Sequence, residues 1–217
     1  MQSLVFLEPN YIKAIPFTTS DVVAEYAKIA NRSVYLLIEK HIKRLELFGR
    51  VSFEMRPSQT KGGMQEVKIY HLNEEQATLL ITFLKNTDTV INFKVELVKQ
   101  FYLMRSELQK RQINRLDLKP TRRTLTDEIQ DNPDHSKWEY KLFTDLAYKM
   151  VTGKIAVTLR KERNAPKTAK AIEYMTADEI ALVEKLTYKI AVLYEMKLDY
   201  HQIKAMLMNR QMIGKIA

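Results

Sequence analysis

Arg32, Ser33, Tyr35, Lys40, Lys43 and Arg44 fall within thirteen residues of one stretch that carries helical periodicity. An arginine at the start of a helix can donate two hydrogen bonds to a guanine edge. Ser33 and Tyr35 add short hydroxyl donors and acceptors. Lys40, Lys43 and Arg44, one to three turns on, suit phosphate oxygens. A second set, Arg56, Gln59, Thr60, Lys61 and Gly62, lies in a polar segment that ends in two adjacent glycines, where the main chain can come close to a phosphate backbone. The chemistry of the two sets together is that of contact with double-stranded DNA: base edges for the first, backbone for the second. Each set also has an ordinary alternative. Glu39 sits among the cations of the first, and a mixture of glutamate and lysine is what a solvated helix face carries. A polar segment between strands is also what an exposed loop looks like.

Catalytic chemistry finds little footing. The chain has no cysteine, so thiol nucleophiles, disulfides and cysteine metal sites fall away together. Its four histidines (His41, His71, His135 and His201) show no metal-ligand spacing. No P-loop, GxGxxG, HExxH or GxSxG motif occurs. His135 lies between Asp134 and Ser136, but a triad is assembled from separated elements rather than from chain neighbours. The expectation is a protein without enzymatic activity, cofactor or metal.

The elements that must position the two polar sets read as follows. A helix from Asp21 to Ile29, capped by Ser20, meets a turn at Ala30-Asn31. A second helix runs from Arg32 to Phe48, capped by Asn31 and stopped at Gly49. Its apolar residues Val34, Leu37, Ile38, Ile42, Leu45 and Phe48 form one stripe. Arg32, Ser33, Glu39, Lys40, Lys43 and Arg44 occupy the other face. Strands Val51 to Met55 and Glu66 to Leu72 follow, with 56–64 as the link between them. Two helices and then a hairpin is the order of a winged helix, whose second helix can enter a major groove.

The remaining elements are mostly helical. Leu4 to Leu7 and Tyr11 to Ile15 read as short strands. A capping box at Asn73-Glu-Glu-Gln76 opens a helix to Leu84, and Thr89 to Leu116 is a long helix whose apolar stripe fades after Leu108. Lys119, Pro120, Arg122 and Arg123 mark a linker, and one weak helix that ends before Pro133 is expected at 126–134. Helices are then expected at 137–151, 154–163, 177–196 and 200–209, with a capping box at Thr176-Ala-Asp-Glu179. The domain reading is therefore 1–116 winged-helix-like with the long helix, 117–136 linker, and 137–217 all helical, which makes an α+β protein. The long helix can supply a homodimer contact, as paired helix-turn-helix proteins use, or serve an intramolecular core equally well.

A net charge of +9 fits a polyanionic partner, as counterion release favours lysine and arginine on nucleic acid. Two basic groups, Lys110 to Arg123 and Lys154 to Lys170, can extend a phosphate track or remain solvated. A hydrophobic share of 46% is that of an ordinary folded protein. The longest apolar run, around Leu79 to Leu84, is too short for a membrane, and no signal-peptide pattern opens the sequence, so a cytoplasmic location is expected.

Thr19-Ser-Asp-Val-Val-Ala-Glu25, Asn31-Arg-Ser-Val34 with Ile38, Val51-Ser-Phe-Glu54, Tyr70-His-Leu72 and Phe101-Tyr102-Leu-Met104 together resemble the phage regulatory protein Rha family over roughly Thr18 to Leu108. The segments around Tyr140, Leu146-Ala-Tyr-Lys149, Leu159-Arg-Lys-Glu-Arg163 and Leu198-Asp-Tyr-His201 are similar to the helical domain that accompanies such N-domains in temperate phages. Where members of the family often carry glycine, this chain has Asn73 to Gln76 and Lys85 to Asp88. The resemblance implies a phage or prophage regulator in the bacterial host cytoplasm. It binds DNA as a lysis-lysogeny transcriptional regulator or, alternatively, inactivates a phage repressor protein as an antirepressor. For the second possibility the helical part carries Trp138, Tyr140, Phe143, Tyr148, Tyr188 and Tyr194. No catalytic residue is transferred by the resemblance.

Overall fold

The computed structural model describes residues 3–60 and 63–213, with only the backbone described for Thr60 and for residues 210–213. The fold is α+β, about two-thirds helical, with one small antiparallel sheet. It divides into two compact units. The first comprises residues 1–8 and 13–106, the second residues 9–12 and 107–217.

The first unit is built from β1 (Phe17–Thr19), α1 (Ser20–Ala27), α2 (Asn31–Leu45), β2 (Ser52–Thr60), β3 (Gly63–Asn73), α3 (Glu74–Thr82) and the opening turns of α4 (Asp88–Asp131). The sheet order is β1-β3-β2, so β2 is an edge strand and can hold Pro57 without losing an interior ladder bond. The expected strands at 4–7 and 11–15 do not form. A single bridge joins Phe6 to Phe17, and the strand itself lies at 17–19. The expected loop at 56–64 is also different. β2 and β3 pair from Ser52↔His71 out to Thr60↔Gly63, so Arg56 and Gln59 are ladder residues.

Ser20 was expected to cap α1. Instead Thr19 stands at the cap and the Ser20 hydroxyl accepts the Tyr70 N–H at 3.0 Å, tying helix to sheet. α1 ends with Lys28 in the left-handed region (φ 53°), and its N–H closes on the Ala24 and Glu25 carbonyls. α2 starts one residue before the expectation, at Asn31, with Ala30 as the cap. α3 has the expected capping box: Asn73 accepts from the Gln76 N–H at 2.8 Å, and Gln76 accepts from the Asn73 N–H at 3.1 Å. Val23, Val34, Ile38, Leu45, Tyr70, Leu72, Leu80, Leu97 and Phe101 make the core of this unit.

The second unit takes the rest of α4 with α5 (Glu139–Thr152), α6 (Ala156–Glu162), α7 (Ala177–Glu195) and α8 (Tyr200–Ile213). The stretch 117–136, expected as a linker, is helical as far as Asp131, and Pro120 lies inside the helix. Proline there removes one backbone hydrogen bond, yet burial of Leu118, Leu125 and Ile129 at spacings of seven and four outweighs it. A capping box at Thr176 and Glu179 starts α7 as expected. Arg163 clamps Glu179 from α6's end, at 2.5 and 2.7 Å, and also donates to the Tyr174 carbonyl at 2.6 Å. Phe143, Tyr148 and Tyr194 are core, whereas Trp138 and Tyr188 are exposed. Among the described residues no helix is long and apolar enough to cross a membrane.

Candidate nucleic-acid interface

α2 is amphipathic because Val34 and Ile38, four residues apart, share the face that packs on α1 and the sheet. Arg32, Ser33, Lys40, Lys43 and Arg44 are all exposed. At 100° per residue, Arg32, Leu36 and Lys40 share the outward, solvent side of the helix ahead of His41. No ion pair holds Arg32, Lys40 or Lys43 among the described residues. The first turn carries no acid, so the positive helix N-terminus adds to Arg32 rather than being neutralised.

The helix is not continuous. His41 leaves helical geometry (φ −113°, ψ 15°), which sets Lys43 and Arg44 on a separate short turn from Arg32 to Lys40. The His41 ring stacks on Phe83, with centroids 4.1 Å apart, and its Nδ1 lies 3.0 Å from Arg44 Nη1. Burial, then the charges of Arg44 and Lys40, pushes the imidazole below its ordinary value, so the ring is neutral at pH 7 and can accept from Arg44.

Tyr35 does not point outward as a base-reading residue would. It packs on Tyr70 at 5.9 Å between centroids and is half-buried against the core. Glu39, one turn later, is tied to the hairpin: it accepts from the Tyr70 hydroxyl and from Lys68 Nζ, the latter at 3.3 Å. Those two donors hold the Glu39 carboxyl below the usual carboxylate range. Lys68 also lies over the Phe53 and Tyr70 rings at 4.2 and 4.6 Å. The acid that diluted the basic face in the sequence is therefore spent on joining α2 to β3.

The hairpin set divides. Arg56 is bound to Asp21 Oδ2 at 2.7 Å and closely to Glu54, so its charge is used within the unit. Gln59 is exposed on the edge strand. Thr60 pairs with Gly63 through its backbone, and Lys61 and Gly62 lie outside the described residues. The basic groups further along divide as well. Arg111 is 5% exposed and held by Glu107 and Asn10 at 3.0 and 2.7 Å. Arg122 donates to the Tyr148 hydroxyl at 2.6 Å. Arg163 is the clamp on Glu179.

Leu36 is the residue that sequence reasoning missed. It is 53% exposed between Arg32 and Lys40 on the outward line, where an apolar side chain can meet a thymine methyl. The signal was available, since Leu36 falls outside the Val34–Ile38 stripe on a helical wheel, but its neighbour Leu37 belongs to that stripe and masks it. Among the described residues no cluster of acids and histidines could hold a metal ion.

No curated protein matches the chain. Residues 18–106, which carry the outward face of α2 and the hairpin beside it, match the family model described as phage regulatory protein Rha.

Proposed function

We propose that the chain is a phage regulatory protein, a non-catalytic, sequence-specific DNA-binding transcriptional regulator, with α2 as the helix that enters the major groove. The observation that carries this reading is the outward line of Arg32, Leu36 and Lys40, whose two cations have no ion-pair partner among the described residues, on a helix that starts with an unneutralised N-terminus. The order β1-α1-α2-β2-β3 supports a winged-helix arrangement in which the long hairpin lies beside the backbone. Arg32, Ser33 and Leu36 then meet base edges, while Lys40, Lys43 and Arg44 meet phosphates. The test is a gel shift with the phage's own regulatory region against excess competitor DNA at two salt concentrations. A specific complex that weakens steeply with salt supports the reading. No specific complex at low salt removes it.

A second reading has its own observation. In the second unit, Tyr188, Val192, Leu193, Met206 and Leu207 line an apolar groove of about 390 Å³ between α7 and α8, and Tyr188 and Met206 are exposed in it. Such a groove suits an apolar helix of a protein partner, as an antirepressor gripping a phage repressor would require. Recovery of a repressor by the full chain, lost on Tyr188→Ala, favours this reading over the first.

A further inference from the structure

The second unit holds a cavity of about 160 Å³ between α4, α5 and α7. The buried part of its wall is Leu125, Ile129, Phe143 and Ala147, with Thr187 of α7. The part nearer solvent is polar: Arg122 and Thr126 on α4, Tyr140 and Thr144 on α5. In size the cavity matches an engineered apolar cavity of about 150 Å³ that takes up benzene.

Among the described residues Arg122 is the only charged group in this wall. Its guanidinium is positioned but not neutralised. Nη2 donates to the Tyr148 hydroxyl at 2.6 Å, and the group lies 5.6 Å from the centre of the Tyr148 ring. Among the described residues no carboxylate comes within ion-pair distance of it. The other donors of the fork are open. The threonines do not compete for an anion, because each hydroxyl donates to its own helix. Thr126 donates to the Arg122 carbonyl, Thr144 to Tyr140 and Thr187 to Val183, at 2.9, 2.8 and 2.7 Å.

We infer that this cavity is a binding site for a small organic monocarboxylate of about the size of benzoate. The carboxylate takes the open edge of the Arg122 fork as a charge-assisted pair. The apolar body replaces water against Leu125, Ile129, Phe143 and Ala147. A phosphate fits less well: one cation does not match its charge, and its further oxygens would meet the apolar wall.

The experiment is calorimetric titration of the full chain, without DNA, with benzoate, benzyl alcohol and acetate. Benzoate is expected to saturate a single site with a Kd on the order of 1 mM, as a ligand of that size allows. Benzyl alcohol has the body without the charge, and acetate the charge without the body. Each binds at least about tenfold more weakly. Arg122→Gln weakens benzoate by roughly ten- to hundredfold, and Arg122→Lys, which keeps the charge but loses the fork, recovers only part of that. Tyr148→Phe removes the same internal hydrogen bond yet keeps the cation, so it retains most of the affinity. No saturable benzoate binding, benzyl alcohol or acetate as tight as benzoate, or a folded Arg122→Gln that binds like wild type overturns the inference. If Arg122→Gln does not fold, the three ligands on the wild type decide alone.

Discussion

Lys43→Ala and Arg56→Ala should part company in a salt titration, although both remove an exposed cation. Among the described residues Lys43 has no ion-pair partner, so its ammonium is available to a phosphate. Losing one phosphate contact makes the slope of log affinity against log salt shallower by about 0.9. Its effect on folding should stay within about 0.5 kcal/mol, as for other surface changes. Arg56 is different because Asp21 and Glu54 already share its guanidinium. Its removal should leave the salt slope unchanged. The folding cost is two exposed ion pairs at roughly 0.2–1 kcal/mol each, discounted for solvent screening of a half-exposed side chain. Asp21 raises that cost, because its Oδ1 is already buried without a partner and Arg56 holds the other oxygen. The sum is about 1 kcal/mol. The assay is fluorescence anisotropy of the full chain on a labelled random duplex at several salt concentrations, with urea unfolding of the same proteins. An Arg56→Ala slope that flattens as much as that of Lys43→Ala would show that the internal pairing of Arg56 does not decide what the hairpin offers DNA. An unchanged slope for Lys43→Ala would remove that residue from the interface.

Ile38 is fully buried on α2, so Ile38→Ala should cost roughly 2–5 kcal/mol in urea unfolding and lower DNA binding only through loss of folded protein. Leu36→Glu should leave the unfolding curve within about 0.5 kcal/mol of wild type yet abolish the specific complex, since it places an acid on the outward line. Burial would raise the Glu179 carboxyl, but hydrogen bonds from Arg163 and the Thr176 N–H outweigh it and hold the group below the usual carboxylate range. A carboxyl held down in the folded state stabilises above its unfolded value of about 4.3, and that contribution is lost as pH falls through the folded value. Thermal unfolding from pH 5 down to pH 3 should therefore cost wild type more than Glu179→Gln, and parallel losses would contradict the assignment.

The parts of the fold written in local patterns were readable from the chain. The capping boxes at Asn73 and Thr176 and the Val34–Ile38 stripe depend on residues within four positions of each other. What was not readable depends on distant partners. α4 passes through Pro120 because Leu118, Leu125 and Ile129 find a core that no window of sequence contains. Ser20 gives up its cap for the Tyr70 amide fifty residues on. At the candidate site the composition of the α2 face was legible, but its use was not. Tyr35 and Glu39 turn to the sheet because Tyr70 and Lys68 are there. Arg56 is claimed by Asp21 from thirty-five positions away. The break at His41 has no proline or glycine to announce it; the ring's stacking on Phe83 is a tertiary contact.

The most direct measurement is repeated selection of duplexes from a random pool by the full chain and by its Arg32→Ala variant, followed by sequencing. The account predicts that the wild type enriches a defined motif and that Arg32→Ala retains most of it while losing preference at one guanine-containing position. No enrichment by the wild type, or an identical motif from both proteins, would contradict the claim that the outward face of α2 reads DNA.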